Sequence, residues 1–160
     1  MAGSAKVVGL RLMARKVTKI VVVDERPGMS LAAALHELDY VRVCAEVGTA
    51  AEAVEAVETL GPQALVLDVS LPRLGGLGLV RALRRLHPEV AVVAVTPEGD
   101  RRRAAAALKA GAKAFLLREG AAESFLTALD RARAGKPYVD RRIQPERTVI
   151  RSRLRRTTAA

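Results

Sequence analysis

The stretch from residue 64 to residue 76 constrains the fold most strongly, because an apolar run ends in a carboxylate and is followed by a turn. Its sequence is Ala-Leu-Val-Leu-Asp-Val-Ser-Leu-Pro-Arg-Leu-Gly-Gly. A short apolar run bounded by turn-forming residues is typical of a strand that is buried on both faces. Asp68 then lies at the carboxyl end of that strand, where open α/β sheets place their functional groups. The same position also suits a residue that merely caps a turn.

Similar apolar runs recur along the chain and alternate with amphipathic segments. The predicted strands are Lys19–Asp24, Val41–Val47, Ala64–Asp68, Val90–Thr96 and Ala114–Leu117. The helical periodicity of the intervening segments predicts five helices, the first capped by Ser30 and the last covering Ala122–Ala134. Five βα units predict an α/β fold, in which a parallel sheet is covered by helices on both faces. Right-handed crossovers favour the doubly wound order 2-1-3-4-5, whose switch point lies between strands one and three.

The composition limits the classes of function. Aromatic residues make up only 2% of the chain, which disfavours a nucleic-acid platform built on stacked aromatic rings. The single cysteine, Cys44, excludes a disulfide framework and a multi-cysteine metal site, and we interpret it as a small buried hydrophobe. Apolar stretches are too short to span a membrane and no secretory signal is visible, so we expect a soluble cytoplasmic protein with no membrane partner.

The net charge of +10 is concentrated at the two ends of the chain. Residues 1–20 carry +5 and residues 141–160 carry +6, which leaves −1 for residues 21–140. We therefore predict a basic N-terminal extension at 1–18, one domain at 19–138, and an Arg-rich tail or linker stub at 139–160. The tail is too short for a complete output domain. Basic ends of this kind can contact nucleic-acid phosphates or an acidic partner.

In the predicted strand order, polar residues from four strands meet at one edge of the sheet. Asp24 and Glu25 end strand one, Asp68 ends strand three, Thr96 ends strand four, and Arg118 follows strand five. Three carboxylates in a small volume repel one another unless a cation lies among them, and their oxygens suit Mg²⁺. A carboxylate at such a site can attack a phosphoryl group and become an acyl phosphate. Each residue alone also fits a simpler role, as a turn cap, a strand end or a solvated charge.

From about Thr18 to Tyr138 the chain resembles the receiver domains of two-component response regulators, most of all those that precede a LuxR-type (NarL-type) helix-turn-helix. The matching segments are the acidic pair Asp24-Glu25, the run from Asp68 to Gly76, Val95-Thr96, and Ala110-Gly111-Ala112-Lys113-Ala114-Phe115-Leu116-Leu117-Arg118. The resemblance implies the flavodoxin-like (CheY-like) fold. It also implies a signalling switch in a phosphorelay, which is not an enzyme beyond self-phosphorylation from a phosphodonor and autodephosphorylation.

The resemblance also implies residue roles and partners. Asp68 matches the phosphoacceptor, Thr96 the switch hydroxyl, and Phe115 the aromatic residue that moves inward with Thr96. The implied Mg²⁺ ligands are Glu25, Asp68 and the Ser70 backbone carbonyl, with Asp24 acting through water. The implied partners are a sensor histidine kinase or phosphotransfer protein. A second copy is a further implied partner, through helices one and five or through the face of helix four, strand five and helix five.

The sequence departs from the family pattern at four positions. Arg118 stands in place of the family lysine, Glu25 in place of an aspartate, Pro97 in place of a small residue, and Gly75 in place of an acid or amide. These departures support an alternative hypothesis, a pseudo-receiver that acts as a phosphorylation-independent interaction or dimerisation module. The charge distribution supports another alternative, a regulator that contacts DNA through its basic ends.

Overall fold

The computed structural model describes residues 16–25, 31–70, 75–99 and 101–143. The strands are β1 (Thr18–Val23), β2 (Val41–Val47), β3 (Ala64–Asp68), β4 (Ala91–Thr96), β5 (Ala114–Leu117) and β6 (Tyr138–Val139). The helices are α1 (Leu31–His36), α2 (Ala50–Leu60), α3 (Gly76–Leu86), α4 (Arg101–Ala110) and α5 (Ala121–Arg133). The predicted alternation of strands and helices is therefore confirmed. Within the described ranges, every helix is too short or too polar to cross a bilayer.

The strands form one parallel sheet in the order β2-β1-β3-β4-β5-β6. This order confirms the predicted doubly wound arrangement of the first five strands and adds a sixth at the edge. Val23 of β1 pairs with Leu67 of β3, and Asp68 pairs with Val95 of β4. The residues that end these three neighbouring strands consequently lie at the same edge of the sheet.

The central strands are buried on both faces of the sheet, which explains why their sequences are continuous apolar runs. In β1, Val21 and Val23 belong to one hydrophobic cluster, and Ile20 and Val22 belong to a second. The first cluster includes residues of α2, α3 and α4, and the second includes residues of α1 and α5. Successive strand residues therefore point to opposite helix layers, and helices cover both faces as predicted.

The helix α2 begins and ends where the sequence indicates. The Thr49 hydroxyl accepts a hydrogen bond from the Glu52 backbone N–H at 3.2 Å and thereby caps the first turn. Gly61 ends the helix with φ of +57°, a conformation that favours glycine. The predicted cap at Ser30 lies outside the described residues. Cys44 is only partly buried, because β2 is the edge strand, so the interpretation of Cys44 as a fully buried hydrophobe is wrong.

The short strand β6 and the residues after it were not predicted from the sequence. The buried Asp140 carboxylate accepts hydrogen bonds from the Leu117 N–H at 3.3 Å and from the Arg142 guanidinium at 2.7 and 3.0 Å. The Asp140 N–H donates to the Phe115 carbonyl at 2.9 Å. Ile143 is also buried, and a Cβ built on Gly99 would meet its Cγ1 at 3.0 Å. Packed structure therefore continues past residue 138 to residue 143.

The Asp140 cluster predicts a pH-dependent contribution to stability. Burial alone would raise the pKa of Asp140, but the hydrogen bonds from Arg142 and Leu117 outweigh it and lower the pKa below its ordinary value of 3.8. We expect Asp140→Asn to reduce the free energy of unfolding by about 1–2 kcal/mol at neutral pH, because hydrogen bonds to a charged group are lost. A group with a lowered folded pKa stabilises the fold above its unfolded pKa and loses that effect as the pH falls.

Urea unfolding at pH 7 and again below pH 3.8 checks the Asp140 prediction. The difference between Asp140→Asn and the parent protein should shrink toward zero at the lower pH, where both states of the parent bind the proton. The control is Asp39→Asn, an exposed carboxylate, which should change stability by less than about 0.5 kcal/mol. A pH-independent loss in Asp140→Asn would contradict the prediction.

Candidate functional site

The site is built on two carboxylates that follow neighbouring strands. Asp68 is the last residue of β3 and is fully buried, and Asp24 directly follows β1 and is 6% exposed. Backbone hydrogen bonds hold both strand ends, from the Asp24 N–H to the Val47 carbonyl and from the Val69 N–H to the Val95 carbonyl, each 3.0 Å. The sheet thus fixes two acidic side chains side by side, as the strand order predicted.

Arg118 reaches from the end of β5 to both carboxylates. Its Nη1 donates to Asp68 Oδ2 at 2.9 Å, and its Nη2 donates to Asp24 Oδ2 at 2.5 Å. The Arg118 side chain is only 12% exposed and those of Asp24 and Asp68 are fully buried. Burial lowers the pKa of Arg118, but the hydrogen bonds and charges of Asp24 and Asp68 outweigh it and raise the pKa above its ordinary value. The cation between the two carboxylates is therefore supplied by the chain itself.

Ser70 occupies the other oxygen of Asp68. The Ser70 N–H donates to Asp68 Oδ1 at 2.9 Å, and the Ser70 hydroxyl donates to the same oxygen at 2.6 Å. Sequence analysis assigned a role only to the Ser70 carbonyl and missed its hydroxyl. The Asp-x-Ser spacing is the signal for this turn, since such side chains commonly bond the backbone two residues away. Both Asp68 oxygens consequently accept hydrogen bonds, and Ser70 fixes the orientation of the carboxylate.

Thr96 ends β4 beside a cleft of about 260 Å³. Its hydroxyl donates to the Glu98 carbonyl at 3.1 Å. The cleft is lined by Val69, Ser70, Leu77, Thr96, Arg103 and Ala106, so Arg103 is a charged lining residue that the sequence analysis did not identify. Phe115 is fully buried and pairs with Ala94 in the sheet, one strand away from the carboxylates.

Gly75, which departs from the family pattern, precedes α3 with φ of +65° and gives the helix no side-chain cap. This left-handed conformation is strained for residues that carry a Cβ, so the backbone at this position favours glycine.

The predicted magnesium ligands fit the guanidinium better than they fit a divalent ion. Their oxygens have the chemistry that Mg²⁺ prefers. However, Asp24 and Asp68 each give one oxygen to Arg118, and the second Asp68 oxygen accepts two hydrogen bonds from Ser70. Glu25 is partly exposed, and within the described ranges no three His, Cys, Asp or Glu side chains are grouped to hold a metal. As arranged here, the residues do not fit Mg²⁺ in addition to Arg118, and the ligand set remains a prediction.

Comparison with known proteins places this geometry among signalling proteins. The family model described as the response regulator receiver domain matches residues 20–130. Response regulator GacA of Pseudomonas syringae pv. syringae is 28% identical over 129 residues, which are 78% of this chain and 59% of GacA. GacA of Pseudomonas protegens is 29% identical over 129 residues, which are 78% of this chain and 60% of that protein. The chain therefore spans somewhat over half the length of these curated relatives.

Solved structures agree with the fold. A two-component response regulator of the LuxR family from Aurantimonas sp. SI85-9A1 superposes with a TM-score of 0.72 at 21% identity, covering 87% of this chain and 99% of that one. The isolated REC domain of RcsB from Salmonella enterica serovar Typhimurium superposes with a TM-score of 0.67 at 19% identity, covering 79% and 95%. At these identities the likeness concerns the fold alone, and it supports the CheY-like architecture.

Proposed function

Because the chain belongs to the response regulator receiver domain family, we propose that it is the receiving part of a two-component regulator, switched by phosphorylation of Asp68. One observation carries this proposal: Asp68 lies buried at the carboxyl end of β3 beside Asp24, and Arg118 contacts both. Receiver domains generally are not catalytic enzymes. The proposed chemistry is limited to accepting a phosphoryl group from a donor and releasing it to water.

The proposed phosphorylation step uses residues of this site only. An Asp68 carboxylate oxygen attacks the phosphorus of a phosphohistidine or acyl phosphate, a P–O bond forms, and the donor leaves with the electron pair of its broken bond. The Arg118 guanidinium, already on Asp68 Oδ2, is placed to bind the phosphoryl oxygens. The Thr96 hydroxyl exchanges the Glu98 carbonyl for a phosphoryl oxygen, which alters the turn between β4 and α4. The cleft beside Thr96 and Ser70 gives the group space.

Incubation with acetyl phosphate followed by intact-mass measurement tests this function. We expect the parent protein to gain the mass of one phosphoryl group, and Asp68→Asn to gain none. Asp39→Asn is the matched control because it removes an exposed carboxylate far from the site in sequence, and it should be modified like the parent. The reaction is run with Mg²⁺ and with a chelator, since receiver domains typically use Mg²⁺ and here Arg118 holds the same oxygens. No mass gain in either condition, or a gain that survives in Asp68→Asn, contradicts the proposal.

A second candidate function is a pseudo-receiver that binds partners without phosphorylation. It is favoured by the same Arg118, because one guanidinium already neutralises both buried carboxylates. This candidate predicts no mass gain from acetyl phosphate. It also predicts that Mg²⁺ raises the melting temperature of the parent no more than that of Asp68→Asn. A Mg²⁺-dependent shift that Asp68→Asn abolishes supports the phosphorylation switch instead.

The proposed partners follow from the family. We propose a sensor histidine kinase or phosphotransfer protein as donor, and a second copy of the chain as partner, through α1 and α5 or through α4, β5 and α5. We also retain the division into a basic extension at 1–18, a receiver unit at 19–138 and an Arg-rich tail at 139–160, of which residues 139–143 pack on the receiver. Residues 144–160 lie outside the described structure. DNA retention that is lost when residues 141–160 are trimmed would assign DNA contact to that tail.

A further inference from the structure

Helices α3 and α4 carry seven basic residues and no acidic residue. These residues are Arg81, Arg84, Arg85, Arg101, Arg102, Arg103 and Lys109, and all of them are exposed. A solvated helix commonly interleaves charges of both signs, and these two helices do not. We call these seven residues the α3–α4 basic surface.

The two helices present their charges on one continuous surface. The helix α3 buries Leu79, Val80 and Leu83, and α4 buries Ala104, Ala107 and Ala110, all against the same hydrophobic cluster. At helical spacing, the basic residues lie away from the sheet. Arg84 Nη1 donates to the Lys109 carbonyl at 3.4 Å. Its side chain also packs at Gly111, where a Cβ would meet Arg84 Cδ at 2.4 Å. Arg84 therefore joins the two helices.

The neighbouring helix α2 has the opposite charge. It carries Glu52, Glu55 and Glu58 and no basic residue. The near-neutral sum over residues 21–140 thus conceals a charge separation between α2 and the α3–α4 basic surface. Six of the seven cationic side chains are arginines, whose planar fork pairs with phosphate oxygens in a bidentate manner.

We propose that the α3–α4 basic surface binds the phosphate backbone of duplex DNA without reading base sequence. Charge complementarity with a polyanion supports this partner, because each guanidinium that neutralises a phosphate releases condensed counterions. Contacts of this kind position a protein on DNA and leave sequence readout to other elements. The site is separate from the Arg-rich tail and does not depend on phosphorylation of Asp68.

The test measures binding of the full chain to a labelled mixed-sequence DNA duplex by fluorescence anisotropy, between about 50 and 200 mM salt. The surface variant combines Arg81→Gln, Arg85→Gln and Arg102→Gln. Its matched control combines Arg42→Gln, Arg131→Gln and Lys136→Gln, which removes three exposed charges from other elements. The plot of log affinity against log salt should flatten by up to about 2.7 in the surface variant, at about 0.9 per phosphate contact, and stay near the parent slope in the control.

Two further measurements separate the proposal from its alternatives. Replacing the same three arginines by lysine keeps the charges and should keep the salt slope, whereas a folding defect would not be rescued in this way. Equal slopes in the surface variant and the control overturn the proposal, because net charge alone would then account for binding. A surface variant that loses self-association in sedimentation but keeps the parent slope also overturns it, in favour of a second copy docking its acidic α2.

Discussion

Replacing Arg118 by methionine is expected to lower the free energy of unfolding by about 3–5 kcal/mol, the usual effect of removing one partner from a buried ion pair. The variant leaves Asp24 and Asp68 buried side by side without their shared cation. Attraction to Arg118 offsets both their desolvation and their mutual repulsion, and a methionine side chain supplies neither compensation. Urea unfolding in the presence of a chelator measures the loss.

Three comparisons make the Arg118 experiment decisive. Arg131→Met removes an exposed arginine and should change stability by less than about 0.5 kcal/mol. Arg118→Lys keeps the charge but loses the two-pronged geometry, so it should be less destabilised than Arg118→Met. Mg²⁺ should restore part of the stability of Arg118→Met, because the carboxylate oxygens become available to it. If Arg118→Met unfolds like the parent, then the guanidinium does not hold the two strand ends together.

Replacing Phe115 by alanine is expected to reduce the free energy of unfolding by about 3–5 kcal/mol, as is usual for a buried phenylalanine. Phe115 is fully buried and is the only aromatic residue in the cluster beneath α2, α3 and α4, among the residues that the structure describes. Its neighbours in that cluster include Ala94, Ala104 and Ala107, and such small side chains have little freedom to fill the cavity.

Leu86→Ala is the matched control for Phe115→Ala. Leu86 is 53% exposed at the end of α3, so its truncation removes little buried area and should change stability by less than about 0.5 kcal/mol. The same urea titration measures both variants. A loss below about 1 kcal/mol in Phe115→Ala would mean that the cluster collapses around the missing ring, and would contradict the rigid packing described for this layer.

The strand order was predictable because burial leaves a simple trace in the sequence. Strands that are covered on both faces must be apolar throughout, and β1, β3 and β4 therefore stand out as runs of Val, Ile, Leu and Ala. Chirality then restricts how these runs connect. Once the order is known, the proximity of Asp24 and Asp68 follows, and the structure confirms it.

The occupant of the site was less predictable, because it depends on competition between possible partners. The sequence places Arg118 near the edge, but it does not tell whether the guanidinium binds a phosphoryl group or the carboxylates. Side-chain reach decides this point in the structure, since Arg118 extends from β5 past β4 to both acids. The strand β6 escaped prediction because two residues carry no periodicity, and Asp140 shows its role only through the partners that it meets.

The anchoring of Asp140 gives the polypeptide a defined outlet next to the sensing groups. Leu117, whose N–H donates to Asp140, directly precedes Arg118 in the chain. Ile143 packs beside Gly99 in the turn that follows Thr96. Any displacement of Arg118 or of that turn consequently acts on the point from which the chain departs. News of an event at Asp68 thus has a path of a few bonds to whatever is attached beyond Ile143.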